Sequence, residues 1–274
     1  MITRLCLHFL AALWMAAILP GTVSAADTLR MAVTTSFHNS GLSDVLLPLI
    51  RRDLDLNVQL VVVGTGQALR LGRAGDVDAL LVHSPDAEKE FVANGFAPHR
   101  RPIMVNDFVV VGPSSDPAGL SEAETAGEAL GAIAASRATF VSRGDDSGTH
   151  RREIALWQST GVDVQNLDPA WYRQVGAGMG ATLNVASAID AYTLTDRGSW
   201  LNFANPGSLE IVFSGDPALL NQYSYLPVSQ KRHPHINAAG AAKLEAWLAG
   251  AKGQAAIAGY LLNGTALFTP NAAP

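Results

Sequence analysis

Nine consecutive residues, Ser142–His150, combine the side chains that can hold an anion at the start of a predicted helix. A short apolar β-type run precedes them, and an amphipathic helix pattern follows them. A helix start exposes unpaired backbone N–H groups and the positive end of the helix dipole. Arg143 adds a permanent positive charge. Ser147 and Thr149 add hydroxyl donors, and Gly148 removes side-chain bulk. The stretch predicts an anion cradle; the alternative is a capped helix that carries a surface arginine.

The same pattern of hydroxyl and glycine residues between a strand and a helix recurs at three other places. Thr34–Ser36 follow a predicted strand, Gly64–Gln67 follow an almost continuous apolar run, and Met179–Asn184 lead into a helix. The candidate ligand donors in these turns are Thr35, Ser36, Thr65, Gly66 and Thr182. Ordinary N-capping by serine or threonine is the alternative at each turn. The turn at Gly64 is weak support for a nucleotide, because the longer Gly-x-Gly-x-x-Gly pattern fails where residue 69 is leucine.

The elements that carry these turns alternate between strand and helix patterns along the chain. The predicted strands are Leu29–Val33, Val58–Val63, Asp78–Val82, Phe108–Val111, Thr139–Val141, Tyr192–Thr195, Leu209–Phe213 and Tyr223–Val228. The alternation predicts the α/β class with mostly parallel sheets. Ligands of such sheets gather at the carboxyl ends of the strands, where the four turns lie.

Length and charge restrict the classes of protein that the chain can belong to. The 274 residues carry 19 Lys and Arg against 24 Asp and Glu, which gives a formal net charge of −5. This length can form one large domain or two lobes of about 100–150 residues each. The acidic balance argues against nucleic acid as a partner, because binding to a phosphate backbone needs a basic face.

The segment from Met1 to about Ala25 has the features of a secretory signal peptide. Arg4 charges its first part, an apolar run from Phe9 to Leu19 follows, and small residues precede Ala26. The run is too short to span a bilayer as a helix. The single cysteine, Cys6, lies in this segment. We therefore expect an exported mature chain without disulfides or a lipid-anchored cysteine, and the alternative is an uncleaved N-terminal anchor.

Two constellations suggest other chemistry but lack the partners that this chemistry needs. His150 is three residues from Ser147 and could face it on one helical turn, yet a hydrolase triad also needs a buried acid. The pair His233 and His235 is spaced like metal ligands, but no cysteine or acidic cluster lies beside it in the sequence. We expect no catalytic residue and no cation site.

Seven motifs occur in one order that is specific when taken together. They are Thr34–Ser36, Val63–Leu69, Leu81–Pro85, Arg101–Phe108, Ser142–His150, Gly178–Asn184 and Tyr192–Gly198. With these motifs in this order, the chain resembles the tungstate-binding periplasmic proteins of ABC transporters. The resemblance covers the chain from about Leu29 to near Pro270. The resemblance implies a type II periplasmic-binding-protein fold, two-lobed and hinge-closing, that is not an enzyme and needs no cofactor. It implies a monomer in the periplasm that delivers its ligand to the permease of an ABC importer.

The resemblance also implies how the chain divides. Residues 26–110 and 222–274 would form lobe 1, and residues 111–221 would form lobe 2, with a hinge at Asp107–Gly112 and Tyr223–Val228. One departure from the family pattern is Phe37–His38, where small polar residues are expected, and the His38 imidazole is expected near the site.

The implied ligand, tungstate or molybdate, is a tetrahedral dianion that carries no proton at neutral pH. It needs only donors, so hydroxyls, backbone N–H groups and Arg143 suffice. Monohydrogen phosphate carries a proton and benefits from a carboxylate acceptor, which Asp145 or Asp146 could supply. A phosphate-binding protein therefore stays as the alternative, with a secreted phosphate-ester hydrolase as a third hypothesis. The residues do not discriminate tungstate from molybdate, because the two ions share charge and shape.

Overall fold

The computed structural model describes residues 27–273, so the predicted signal peptide lies outside the described residues. The strands are β1 Asp27–Thr34, β2 Leu56–Val63, β3 Ala79–Val82, β4 Arg101–Pro113, β5 Phe140–Ser142, β6 Tyr172–Gln174, β7 Thr193–Asp196, β8 Leu209–Phe213, β9 Leu220–Pro227, β10 Leu261–Leu262, β11 Thr265–Ala266 and β12 Thr269–Pro270. The α-helices are α1 Thr35–Asn39, α2 Leu42–Leu54, α3 Thr65–Ala74, α4 Pro85–Ala93, α5 Ala126–Ser136, α6 Gly148–Ser159, α7 Met179–Ala188, α8 Arg197–Leu201, α9 Ala238–Ala249 and α10 Ala251–Ala258. Three short 3-10 turns lie at Leu120–Glu122, Val164–Asn166 and Pro217–Leu219.

The larger sheet has the strand order β12-β4-β9-β3-β1-β2. The pairs β1–β2 and β1–β3 are parallel, as is β5–β6 elsewhere in the chain. Every pair that includes β4 or β9 is antiparallel. The α/β class is confirmed, but the expectation of mostly parallel sheets is wrong, and the sheets are mixed. The reason is β9, which enters between β3 and β4 and runs opposite to both.

One long strand belongs to both halves of the molecule. The first part of β4, up to Asp107, pairs with β9, whereas its second part, from Phe108, pairs with β7 and β8. We call the elements around the larger sheet the first lobe, and those from the second part of β4 through β8 the second lobe. The chain returns to the first lobe between Phe213 and Leu220.

The predicted second hinge segment, Tyr223–Val228, does not lie at this crossing. Tyr223 pairs with Met104 and Pro227 pairs with Ala79, so the segment is held inside the larger sheet. Its apolar strand pattern was recognisable, but the pattern carries no information about which strands flank it. The crossing itself consists of the turn-rich stretch before β9.

Each lobe packs apolar side chains on both faces of its sheet. In the first lobe, Leu29, Tyr225 and Trp247 lie on one face, and Phe91 is part of the cluster on the other. In the second lobe Trp157 is fully buried within a cluster that also contains Phe140, Trp171 and Tyr172. No helix within residues 27–273 is long and apolar enough to cross a membrane.

The parallel register places two of the predicted turns side by side. Thr34, the last residue of β1, is aligned with Val63, the last residue of β2. The starts of α1 and α3 therefore lie next to each other at one edge of the larger sheet. In the second lobe β5 and β7 lead into the Ser142–Ser147 loop and into α8.

Candidate functional site

The N-termini of α3 and α6 face each other across the two lobes. Gly64 caps α3 without a side-chain hydrogen bond, and Ser147 caps α6 by accepting the backbone N–H of His150 at 3.1 Å. The helix starts are in such close contact that a Cβ on Gly66 would lie 2.5 Å from the Asp146 Oδ2 and 3.2 Å from its carbonyl oxygen. Gly66 thus allows the two positive helix ends to converge on the same space.

A second glycine lets a helix start approach a histidine of the opposite lobe. A Cβ on Gly148 would lie 2.5 Å from Cε1 and 2.7 Å from Nδ1 of His83, and 3.0 Å from Oγ1 of Thr65. Gly148 begins α6, whereas His83 and Thr65 belong to the first lobe. The start of α6, in the second lobe, therefore lies directly beside His83 and Thr65 of the first lobe.

The loop before α6 buries its arginine together with an aspartate. Arg143 is only 3 % exposed, and its Nη2 donates to Asp145 Oδ2 at 2.5 Å. The second oxygen of Asp145 accepts the N–H of Ser147 at 3.2 Å. Gly144 and Asp146 adopt left-handed backbone conformations with φ of 60° and 58°, which make this compact loop possible. The alternative of a surface arginine is excluded by the burial of Arg143.

Among the residues predicted as ligands, three buried polar atoms have no hydrogen-bond partner within the described part of the chain. They are Oγ1 of Thr65, Nε of Arg143 and Oγ1 of Thr149. A buried donor or acceptor without a partner destabilises a protein by about 1–3 kcal/mol. Such atoms are rare in folded proteins and indicate a missing partner. The three lie at the start of α3, in the loop before α6 and in the first turn of α6, and the sequence predicted all three residues as donors.

Ser36 is already engaged in a buried network. Its Oγ lies 3.0 Å from Thr34 Oγ1, 3.0 Å from Nε2 of His83 and 3.1 Å from the hydroxyl of Tyr223. Burial, followed by the positive charge of Arg143, lowers the pKa of His83 to about 3, so its ring is neutral. His83 and Tyr223 were not predicted as site residues. A signal existed for His83, since it directly follows the predicted strand Asp78–Val82.

Two further predicted donors, Thr35 and Thr182, lie on α1 and α7. Thr35 is half-buried in the first turn of α1, next to the Thr34 cap. Thr182 is fully buried, and its hydroxyl donates to the carbonyl of Gly178 at 3.2 Å, so it is directed along its own helix. Phe37 is buried against the Tyr223 ring, and His38 is exposed. The expected place of His38 near the site stays a prediction. The binding roles of the nine predicted ligand residues stay predictions.

The geometry around Ser147 does not form a hydrolase dyad. The imidazole of His150 accepts the backbone N–H of Asp146 through Nδ1 at 3.1 Å, and it is not hydrogen-bonded to the Ser147 hydroxyl. The His235 ring contacts the carbonyl of Gly75 through Nε2 at 2.9 Å. Within residues 27–273 no group of three or more His, Cys, Asp and Glu side chains could hold a metal ion.

A buried glutamate lies behind the arginine loop. Glu153, on the second turn of α6, is 1 % exposed and accepts the hydroxyl of Tyr172 at 2.6 Å. Burial raises the pKa of Glu153 to about 7, while contacts with Tyr172, Ser142 and the Arg143 N–H act in the opposite direction. The carboxyl group thus supports the loop that carries Arg143.

Comparison with known proteins assigns the chain to a family. Residues 21–252 match the model of the PBP superfamily domain. The chain is 42 % identical over 254 residues to the tungstate-binding protein TupA of Peptoclostridium acidaminophilum, covering 91 % of this chain and 87 % of that protein. The chain belongs to the PBP superfamily and, within it, to the TupA family. The resemblance inferred from the seven motifs is confirmed.

Two solved structures of this family share the fold. The crystal structure of the tungstate ABC transporter from Geobacter sulfurreducens matches with a TM-score of 0.79 at 46 % identity, covering 86 % of this chain and 100 % of that one. TupA from Desulfovibrio alaskensis G20 matches with a TM-score of 0.77 at 45 % identity, covering 90 % and 100 %. The family consists of solute-binding proteins, and the predicted two-lobed binding-protein fold is confirmed.

Proposed function

We propose that this protein captures tungstate, or molybdate, between its lobes and delivers it to the permease of an ABC importer. The observation that carries this proposal is that the N-termini of α3 and α6 meet while Thr65, Arg143 and Thr149, at these helix starts and in the loop before α6, each keep a buried polar atom without a partner among the described residues. The names of the TupA relatives supply the ligand class, and the name of the Geobacter sulfurreducens structure supplies the transporter context. The protein binds its ligand without chemical change and is not an enzyme.

The charges around the site favour a dianion without a proton. Both carboxylate oxygens of Asp145 already accept a hydrogen bond, one from Arg143 and the other from the N–H of Ser147. The Asp146 side chain is 56 % exposed and pairs with Arg151 at 2.8 Å. Each carboxylate is thus already paired with an arginine, which weakens it as the acceptor that the O–H of monohydrogen phosphate requires. This arrangement makes phosphate the weaker alternative.

We further propose that the two lobes move as units about the crossings near Asp107 and before Leu220. Residues 27–107 and 220–273 would form one unit and residues 108–219 the other. A bound dianion would bridge helix N-termini of both and hold them closed, as in other hinge-closing binding proteins. Small-angle scattering should give a smaller radius of gyration with saturating tungstate than without it. An unchanged radius would contradict the closure.

Binding is tested by calorimetric titration with tungstate, molybdate, sulfate and phosphate, with a thermal-shift screen of the same anions. We expect tight binding of tungstate, and phosphate at least about tenfold weaker. A competitive titration of tungstate against molybdate determines the order of these two ions. Phosphatase activity toward p-nitrophenyl phosphate is measured alongside. Turnover of this ester, or no response to either metal oxyanion, would overturn the proposed function.

We also propose that the protein acts in the periplasm as a monomer, after removal of a leader that ends near Ala25. This rests on the sequence features of the first 25 residues and on the transporter context of the relatives. N-terminal sequencing of the exported protein should begin near Ala26. Retention of Met1 in that fraction would contradict cleavage of the leader.

A further inference from the structure

The His83 ring has one nitrogen without a partner at the point where the lobes meet. The residue is 4 % exposed, and Nδ1 has no hydrogen-bond partner within residues 27–273. We propose that the Nδ1–H of His83 donates a hydrogen bond to the bound oxyanion and makes the site select fully ionised oxyanions over hydrogen phosphate. This inference rests on the proposed function and names a residue that determines its specificity.

The position of the nitrogen fits this role. A Cβ on Gly148 would lie 2.7 Å from Nδ1 and 3.0 Å from Oγ1 of Thr65, so the ring faces the first turn of α6 beside an unpartnered hydroxyl. The first N–H groups of a helix have no partner inside that helix. Nδ1 therefore shares its space with two other kinds of donor, and one acceptor-rich ligand can satisfy all of them.

The hydroxyl network behind the ring is fully satisfied when the ring carries its hydrogen on Nδ1. Thr34 Oγ1 accepts the N–H of Phe37 at 3.3 Å, so its own hydrogen can be donated to Ser36 Oγ. The Tyr223 hydroxyl, 3.1 Å away, can donate to the same oxygen. Ser36 then accepts two bonds and has its single hydrogen left for Nε2 of His83, at 3.0 Å. A neutral imidazole that accepts at Nε2 carries its hydrogen on Nδ1.

The ring is held neutral by its surroundings. Burial has the largest effect on its pKa, and the charges of Arg143 and, more weakly, Arg152 also lower it. The Asn221 amide and a backbone contact act in the opposite direction. The ring therefore presents one N–H donor and no acceptor toward the ligand.

Such a donor discriminates between oxyanions by their protonation. Tungstate, molybdate and sulfate present only acceptor oxygens at neutral pH, whereas monohydrogen phosphate presents one O–H that needs an acceptor. A buried O–H that faces an N–H loses its hydrogen bond with water and gains none in the protein. Sites with a mismatched buried polar group can reject a ligand by large factors.

Two isosteric substitutions separate the two ring nitrogens. The amide nitrogen of His83→Asn lies near the position of Nδ1, and the amide of His83→Gln lies near that of Nε2. We expect His83→Asn to bind tungstate within about threefold of the wild type, and His83→Gln to bind at least tenfold more weakly. Equal losses in both variants, or a larger loss in His83→Asn, would overturn the assignment of Nδ1 as a ligand donor.

A third variant tests specificity directly. His83→Asp replaces the donor by a carboxylate, which repels a fully ionised dianion and accepts the O–H of hydrogen phosphate. The ratio of tungstate to phosphate affinity should fall by at least about 100-fold, measured by calorimetry at neutral pH. An unchanged ratio would overturn the role in selectivity. A wild type that binds none of the four anions would overturn the proposed function as well.

A measurement on the unmodified protein covers the case in which the variants fail to fold. Nitrogen NMR of protein labelled with ¹⁵N-histidine distinguishes a protonated ring nitrogen from an unprotonated one. We expect His83 to carry its hydrogen on Nδ1, and addition of tungstate should shift this resonance. A ring protonated at Nε2 in the tungstate complex would overturn the proposal.

Discussion

The Arg197 guanidinium donates a fork of hydrogen bonds to the Asp107 carboxylate, with Nη2–Oδ2 at 2.5 Å and Nε–Oδ1 at 2.8 Å. Arg197 begins α8 in the second lobe, and Asp107 is the last residue of β4 that pairs with β9. The pair therefore joins the second lobe to the strand at the point where the strand changes sheets.

We expect this pair to make a modest contribution to stability. Its side chains are about a quarter exposed, so solvent screens the charges, and a coupling free energy of roughly 0.5–1 kcal/mol is expected. A double-mutant cycle of Arg197→Gln and Asp107→Asn, followed by urea unfolding, measures it. The matched cycle on the exposed pair of Lys89 and Asp86 should give a smaller value. A coupling no larger than in that control pair would contradict the expectation.

Gly148→Ala should prevent the lobes from closing. The added methyl group would lie 2.5 Å from Cε1 of His83, and this ring is buried and held by Ser36. We expect tungstate affinity to fall at least about tenfold, with little change in the melting temperature of the ligand-free protein. Gly131→Ala is the matched control, because nothing lies within 4 Å of its added methyl group. Equal affinities of the two variants would contradict this prediction.

Thr149→Val should weaken binding without destabilising the ligand-free protein. The Thr149 Oγ1 is buried and has no hydrogen-bond partner within the described range, so its removal breaks no internal hydrogen bond. One neutral donor to a ligand contributes about 1 kcal/mol, which is roughly a fivefold change in dissociation constant. Calorimetric titration and thermal unfolding measure the two effects. Thr193→Val is the control, since its hydroxyl donates to the Val141 carbonyl and its loss should lower stability. Unweakened binding by Thr149→Val would remove this hydroxyl from the site.

Arg143→Gln should weaken tungstate binding by roughly one to two decades or more. A charge-assisted hydrogen bond contributes about 1.5–3 kcal/mol, and the loss of Arg143 also leaves the Asp145 carboxylate without its cation. Arg143→Lys should rescue binding only in part, because an ammonium group cannot reproduce the planar fork of donors. The control is Arg137→Gln, at an exposed arginine that pairs with Asp168. A dissociation constant unchanged in Arg143→Gln would show that the site lies elsewhere.

Glu153→Gln should change how stability depends on pH. The pKa of Glu153 is about 7 in the folded protein against 4.5 for the unperturbed group. Between these values the folded state binds more protons than the unfolded state, so this group's contribution is present below about pH 4.5 and is lost as pH rises through about 7. The variant should therefore gain stability relative to the wild type between pH 5 and pH 8.

The measurement is chemical denaturation of both proteins at intervals across this range. Glu90→Gln serves as the control, because Glu90 is exposed. A difference between Glu153→Gln and wild type that stays constant with pH would contradict a buried glutamate that titrates near neutrality.

Local chemistry was sufficient to predict the parts of the site that lie within one turn. The residues Ser147–Thr149 follow from a helix start preceded by a strand, and the structure places them opposite Thr65 and Gly66. His83 was missed because its hydrogen bond to Ser36 and its ring contact with Tyr223 join residues that are distant in sequence.

The directions of the strands in the sheets also could not be predicted from local sequence. The alternation of strands and helices correctly indicated the α/β class, but a strand pattern does not state its neighbours. The insertion of β9 between β3 and β4 brings Tyr225 opposite both Leu81 and Arg101, and no local signal encodes this pairing. For this reason the sequence pattern did not show that the segment predicted as the second hinge lies inside the larger sheet and after the crossing at Leu220.

The position of β9 also constrains the order in which the protein can form during synthesis. Leu220–Pro227 lies in the interior of the larger sheet, although it is made more than a hundred residues after β3 and β4 have begun. A nascent chain that has produced only the first four strands has an open gap at the centre of this sheet, with two unpaired strand edges. Contacts between residues so far apart in sequence form slowly. The first lobe therefore becomes complete only after the second lobe has been made, and a chain that stops before Leu220 leaves both of those edges available for pairing with another chain.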